Sequence, residues 1–152
     1  MALAPPGVAH RWSVTGHTID HWECTTIFDL PADDRARLVV HPGAVSRYTV
    51  RLDRAGVRML LDTIASGEAC AVPAKHPIHG DRLLGLRPIT LPHDVPWTNR
   101  PADAPPYFGP MELYLQLPDA QIEIIFERNR LLRLAGALSM ALDELTEADS
   151  AR

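Results

Sequence analysis

The sequence predicts an α+β fold in which a largely antiparallel sheet carries two amphipathic helices on one face. Three observations support this class: several segments alternate polar and apolar residues, two segments repeat apolar residues with a helical period, and the helices do not alternate one-for-one with the strands. With 152 residues, 46% of them apolar, the chain is long enough to bury a single core. We therefore expect one domain over residues 10–148, preceded by a mobile tail over residues 1–9.

The first half of the chain is expected to contribute four strands. Their alternation of apolar and polar side chains has the period of two that an extended chain requires. The strands are expected over residues 11–14, 21–30, 37–41 and 47–52. On the second of them, the face expected to point inward carries Trp22, Cys24, Thr26 and Phe28. The third strand ends at His41-Pro42-Gly43, a sequence that favours a turn.

A helix is expected over Arg54–Ser66. Asp53 precedes it and is a good N-cap, because its carboxylate can accept hydrogen bonds from free backbone amides. Gly67 follows it and is a good terminator, because glycine readily adopts the left-handed conformation at a helix end. The apolar residues recur at intervals of three and four, as in a helix that buries one face. They are Val57, Leu60, Leu61, Ile64 and Ala65.

Residues 73–110 are expected to form a proline-rich insert. Nine of the 14 prolines of the chain lie there, and each removes a backbone donor and restricts the residue before it. A strand is expected only over residues 82–91, where Pro88 would confine it to an edge or a bulge. Residues 92–110 are interpreted as a long ordered loop, of a length that is often functional.

The last part of the chain predicts a β-hairpin followed by a helix. Residues 111–117 and 122–126 alternate, and Pro118-Asp119 between them favours a turn. Leucines at helical spacing then predict a helix over residues 128–147. Small residues at positions 135–137 would let another element approach this helix closely. That element is either the sheet of the same domain or the same helix of a second copy, so a homodimer is an open alternative.

Composition and charge disfavour several classes of function. The net charge is −4 and the arginines are dispersed along the chain, whereas nucleic-acid binding calls for a continuous basic surface. No segment approaches the roughly 18 consecutive apolar residues of a membrane helix. The N-terminus lacks the basic and apolar regions of a secretory signal. We therefore expect a cytoplasmic protein in which Cys24 and Cys70 are reduced.

One cluster of metal-ligand residue types lies within the proline-rich insert. It consists of His76, His79, Asp81 and His93. Imidazole and carboxylate groups can hold a zinc-like ion with one open position, the arrangement that activates water for hydrolysis. The spacing matches none of the recognised metal motifs, however, and His and Asp also form turns and caps in proline-rich loops. A structural role for these residues is therefore the alternative.

A second cluster, at the start of the second predicted strand, consists of His17, His21, Glu23 and Cys24. His17 would lie about 13 Å from His21 along an extended chain, and Cys24 would point to the other face, so the four cannot share one ion. His21 and Glu23 share a face. An ion-pair network with Arg47 and Arg51 on neighbouring strands is the interpretation we favour there.

The function expected from the sequence is the binding of another protein. The chain contains no nucleophile elbow, phosphate-binding loop or catalytic cysteine signature. This favours a non-enzymatic protein of the immunity-protein, antitoxin, adaptor or chaperone type. Aromatic residues dominate the energetics of protein interfaces, so Trp97, Tyr107 and Phe108 are the expected anchors. The alternative is a small metal-dependent enzyme or small-ligand-binding protein with its site at the proline-rich loop.

Overall fold

The chain forms two similar groups of elements, each with four strands followed by one helix. The computed structural model describes residues 5–89 and 109–146. Within these ranges the elements are β1 (Val8–His17), β2 (Glu23–Pro31), β3 (Arg37–His41), β4 (Val50–Asp53), α1 (Arg54–Ser66), β5 (Cys70–His76), β6 (Gly80–Pro88), β7 (Met111–Gln116), β8 (Gln121–Phe126) and α2 (Arg128–Glu144). Two short 3₁₀ turns, Pro42–Ala44 and Ser46–Tyr48, lie between β3 and β4.

The described strands form a closed antiparallel barrel in which each strand pairs with the next one along the chain. The wall is least continuous at two seams. In the described residues, β4 pairs with β5 where Arg51 stands opposite Lys75, and β8 pairs with β1 where Ile125 stands opposite His17. These seams divide the wall into two four-stranded halves. The predicted antiparallel, mixed α and β architecture is confirmed, and the described strands close into a barrel instead of leaving an open sheet.

The two helices lie along the seams. α1 packs against β4 and β5, α2 packs against β8 and β1, and the helices pack against each other. Their buried residues, such as Leu60 and Leu134, belong to the same hydrophobic core as the inward-facing strand residues. Burying each large aliphatic side chain contributes about 1.5–3 kcal/mol, so one set of apolar contacts holds wall and helices together. Neither described helix has the length and apolar character that crossing a bilayer requires.

The two helices start alike in sequence but differently in structure. Asp53 precedes α1, and its carboxylate accepts a hydrogen bond of 2.9 Å from the Gly56 amide. Gly67 ends α1 with a φ of 79°, as expected of a left-handed terminator. Glu127 precedes α2, yet its side chain does not cap that helix and instead lies 2.8 Å from His17 across the β8–β1 seam. The predicted bounds of α1 are confirmed, and α2 ends before the expected residue 147.

The connection between β3 and β4 folds against β8 and the turn that precedes it. Its Tyr48 side chain is buried, and the Tyr48 hydroxyl donates a hydrogen bond of 3.0 Å to the Gln121 carbonyl. Arg47 of the same connection lies 3.1 Å from Asp119 in the β7–β8 turn. The strand predicted over residues 47–52 is therefore too long. The alternating residues before Val50 belong to a 3₁₀ turn, which buries Tyr48 without placing it on a strand.

Two further expectations about strands are wrong. Trp22 precedes β2 and is 74% exposed, so the inward face of that strand carries Thr26 and Phe28 without it. β5 has no counterpart among the expected strands, because Pro73 in its middle is typical of a strand breaker. Pro73 is tolerated because β5 is scarcely paired with β4, so that side of the strand resembles a sheet edge, where proline is common.

Candidate functional site

A groove runs over the ends of β6 and β7, beside the turns that join β5 to β6 and β7 to β8. Its volume is about 790 Å³, which is within the range of ligand-binding clefts. Most of its lining is apolar, and the charged groups are confined to two adjacent residues at the start of β6. The lining residues are Ala71, Pro73, Asp81, Arg82, Leu83, Tyr114, Gln116, Leu117 and Pro118.

The floor of the groove follows from the alternation of β5. Val72 and Ala74 point into the barrel and are buried, so Pro73 between them points outward. Pro73 stands opposite Leu83 of β6, which therefore points outward as well. Leu83 is 58% exposed. The floor thus presents an apolar side chain that a ligand can cover.

Tyr114 forms a wall of the groove and is held in place from two sides. It stands opposite Gly85, and its ring lies directly on the Gly85 backbone, where a Cβ atom would overlap the ring. The Arg87 guanidinium lies 4.5 Å from the ring centre and donates hydrogen bonds of 3.0 and 2.6 Å to Glu112. Burial, together with the adjacent Glu112 carboxylate, raises the pKa of Glu123. These contacts fix the ring, so the groove has a defined shape.

Arg82 is the polar group of the lining that has an unused hydrogen-bond donor. It stands opposite Ala74, and its Nε atom is buried with no hydrogen-bond partner in the described residues. Its neighbour Asp81 pairs with Lys75 instead. Leaving a buried N–H without an acceptor costs about 1–3 kcal/mol. This Nε atom is shielded from a ligand in the groove, and because Asp81 is paired with Lys75, the charge of Arg82 is what the lining offers to an anionic group.

His76, one of the predicted metal ligands, is a structural residue of the β5–β6 turn. Its ring is buried, and Nδ1 accepts hydrogen bonds of 3.1 Å from the amides of Ile78 and His79. Because Nδ1 accepts, the ring proton is on Nε2, which donates a hydrogen bond of 2.6 Å to the Arg47 carbonyl. Both ring nitrogens thus bind backbone groups, and neither has a lone pair free for a metal ion.

The other predicted metal ligands are only partly brought together. The His79 ring lies 4.9 Å from the His76 ring, whereas Asp81 lines the groove and pairs with Lys75. In the part of the chain that the structure describes, no group of three or more His, Cys, Asp or Glu residues is arranged to hold a metal ion. His93 lies outside the described residues. A zinc-like site that includes His93 stays a prediction.

A second constellation, which the sequence analysis missed, spans the outer face of the first barrel half. Arg11 stands opposite Asp29, and its guanidinium donates hydrogen bonds of 2.6 and 2.8 Å to the two carboxylate oxygens. His41 Nε2 lies 3.0 Å from the same carboxylate, and His41 Nδ1 lies 2.9 Å from the Thr49 hydroxyl. The four residues come from four consecutive parts of the wall. The sequence could indicate only that these four polar residues occupy outward positions. Their contact with one another is decided by the strand register, which the sequence does not reveal.

The ionisation of this constellation is set by its ion pair. Burial alone would raise the pKa of Asp29, but hydrogen bonds and charge from Arg11 and His41 outweigh it, and the pKa of Asp29 is lowered. The same hydrogen bond raises the pKa of Arg11. Asp29 is therefore a carboxylate and accepts the Nε2 proton of His41. In its uncharged form the His41 ring then has the Nδ1 lone pair directed at the Thr49 hydroxyl.

Three of the four residues of the second predicted cluster, His17, His21 and Glu23, line one pocket with Glu127 and Arg130. The expected separation of about 13 Å between His17 and His21 is wrong, because a turn and not an extended strand joins them. His17 pairs with Glu127, and the rings of His17 and His21 stack with centres 5.5 Å apart. Arg47, expected near His21 and Glu23, pairs with Asp119 instead. Burial, with the nearby charge of Glu23, raises the pKa of the Cys24 thiol, so this cysteine is a weak nucleophile.

The predicted anchors Trp97, Tyr107 and Phe108 lie outside the described residues, so their role stays a prediction. The chain was also compared with known proteins. No protein-family model, curated protein or solved structure matches it. What this protein does is therefore inferred from the chemistry of its own surfaces, the groove over β6 and β7 among them.

Proposed function

We propose that this protein binds another protein, and that the groove over β6 and β7 takes an apolar segment of the partner that carries a carboxylate. The observation behind this proposal is the combination, in the lining of one groove, of the exposed Leu83 and the charged Arg82. An apolar partner side chain would remove Leu83 from water, and a partner carboxylate would be attracted by the positive charge of Arg82.

Charge favours an acidic partner segment. Lys75 and Asp81 neutralise each other beside the groove, which leaves Arg82 as the net charge of the lining. Tyrosine and arginine are the residue types most often found at the energetic centre of protein interfaces, and the groove contains one of each. We accordingly propose a binding protein of the adaptor type in the cytoplasm, with Trp97, Tyr107 and Phe108 as additional anchors.

The proposal can be tested with peptides selected from a random phage-displayed library on the immobilised protein. We expect the enriched sequences to combine apolar residues with Asp, Glu or a free C-terminal carboxylate. The synthetic peptides are then titrated by calorimetry. Leu83→Asp and Arg82→Gln are each expected to weaken binding by about tenfold or more, equivalent to about 1.4 kcal/mol.

Leu132→Asp is the matched control, because Leu132 is also an exposed leucine but lies on α2, outside the groove. It should leave peptide affinity unchanged. The proposal is wrong if no peptide is enriched, or if the enriched peptides bind the Leu83→Asp protein as tightly as the wild type. Thermal melts of each variant separate a lost contact from a lost fold.

A further inference from the structure

Asp29, His41 and Thr49 contact one another in series on the outer face of the first barrel half. Together they have the composition of a nucleophilic site. It contains a carboxylate, an imidazole and a hydroxyl in sequence, with contacts of 3.0 and 2.9 Å. A base within hydrogen-bond reach of a hydroxyl, and itself oriented by a third group, is the general arrangement that activates such a hydroxyl. This site is separate from the groove over β6 and β7.

The barrel wall produces this arrangement by register. Val40 pairs with Val50. His41 follows Val40 and Thr49 precedes Val50, so these two residues come side by side. Ile27 pairs with His41, which brings Asp29, two residues further along β2 on the same face, beside the imidazole. Thr49 itself lies in the connection between β3 and β4, and the strand pair that begins at the next residue, Val50, holds it beside His41.

The carboxylate is the most shielded of the three groups. The Asp29 side chain is 7% exposed and the His41 side chain 26%, and Thr49 is half-buried. The Thr49 amide donates a hydrogen bond of 3.1 Å to the Ser46 carbonyl, which fixes the backbone that carries the hydroxyl.

The backbone between His41 and Thr49 is also unusual. Gly43 and Ala44 have φ values of 63° and 59°. Left-handed geometry is unfavourable for a residue with a Cβ atom, so the turn after His41 adopts it at Ala44 against local preference. Such backbone conformations are concentrated at functional sites.

We propose that Thr49 is a nucleophile toward small activated acyl esters and thioesters, with His41 as its general base and Asp29 as the residue that positions His41. The Thr49 oxygen attacks the acyl carbon, and its proton moves to His41 Nδ1. The tetrahedral adduct then expels the alcohol or thiol, which takes that proton, and leaves an acyl ester on Thr49. Water attacks this ester in the same way, and the acid and free Thr49 are released.

The test uses p-nitrophenyl acetate with the full chain, following release of p-nitrophenol and mapping acetylation by peptide mass spectrometry. In the wild type we expect the acetyl group on the peptide that contains Thr49. Thr49→Val should abolish this label, Thr49→Ser should retain it, and His41→Gln should slow it by about a hundredfold or more. Thr15→Val is the matched control, because Thr15 contacts another threonine, Thr25, and no imidazole.

Two results would overturn the proposal. One is the absence of any acetylation at Thr49 together with p-nitrophenol release equal to that of Thr49→Val. The other is acetylation of other residues only, such as the exposed Lys75. Because the label is mapped on the wild type, the conclusion does not depend on whether a variant folds.

Discussion

Arg11 and Asp29 stand directly opposite each other on β1 and β2, and the guanidinium binds both oxygens of the carboxylate. The two parallel hydrogen bonds hold the carboxylate in one orientation, as in other bidentate arginine pairs. Since the Asp29 side chain is only 7% exposed, the pair ties two strands together in a partly dehydrated setting. The same carboxylate also bonds His41, so the pair influences β3 as well.

Removing the charge of Asp29 is expected to destabilise the protein in a pH-dependent way. We expect Asp29→Asn to lower the free energy of unfolding at pH 7 by about 1–3 kcal/mol. Because the pKa of Asp29 is lowered in the folded state, its contribution is complete above the unfolded-state value of about 3.9 and is lost as pH falls through the folded-state pKa. Urea denaturation of both proteins at neutral and acidic pH measures this difference. A gap that stays constant into acid would contradict the assignment.

His76 is expected to matter for stability and not for metal binding. His76→Ala removes the partner of three backbone groups, those of Arg47, Ile78 and His79, and should cost about 2–4 kcal/mol in chemical denaturation. His79→Ala is the control, because the His79 side chain lies at the surface with Asp119 4.0 Å away, and should cost far less. If His76 were instead a metal ligand, EDTA would lower the Tm of the wild type; we expect no change.

Asp53 should stabilise the start of α1. Asp53→Ala removes the hydrogen bond to the Gly56 amide and is expected to cost about 1 kcal/mol, within the usual range for an N-cap. Asp62→Ala, at an exposed position in the same helix, tests whether a lost aspartate alone has this effect. Thermal or urea unfolding gives both values. Equal losses in the two variants would argue against capping as the cause.

Gly85 and Tyr114 are expected to be energetically coupled. Gly85→Ala places a methyl group where the Tyr114 ring lies, and the displaced ring should cost about 1–3 kcal/mol. In a Tyr114→Ala background the methyl group meets no ring, so the same substitution should cost clearly less. A double-mutant cycle measured by denaturation gives the coupling. If the losses of the two single variants add up to the loss of the double variant, positions 85 and 114 are not coupled and the prediction is wrong.

The local elements were predictable because their signals are local. Asp53 and Gly67 fix both ends of α1 through bonds to residues within the same helix, and those bounds agree with the structure. The hairpin of β7 and β8 likewise follows from alternation around Pro118. Alternation alone overestimates strands, however. It continues through Trp22 and through Tyr48, which the structure places before β2 and in a 3₁₀ turn.

The barrel and its surfaces were not predictable, because they depend on pairing between distant residues. The barrel closes where His17 pairs with Ile125, and nothing in the sequence around either residue predicts this pairing. The groove likewise combines Pro73, Leu83 and Tyr114 from three strands. Histidines and carboxylates close together in sequence drew attention to His76 and Asp81. Their roles were decided instead by backbone groups and by Lys75, which local spacing does not reveal.

The two seams also affect the order in which the strands can follow one another along the chain. Each seam is covered by one helix and the described strands pair in a closed cycle, so the pairing does not require β1 to come before β5 in sequence. His10 near the start of the described fold and Glu144 at the end of α2 are only 3.5 Å apart. A circular permutant that begins after Gly67, runs through α2 and re-enters at β1 through a short linker would keep every strand pair. Because the described strands pair in a closed cycle, each would keep its neighbours whichever of the two seams carried the break in the chain.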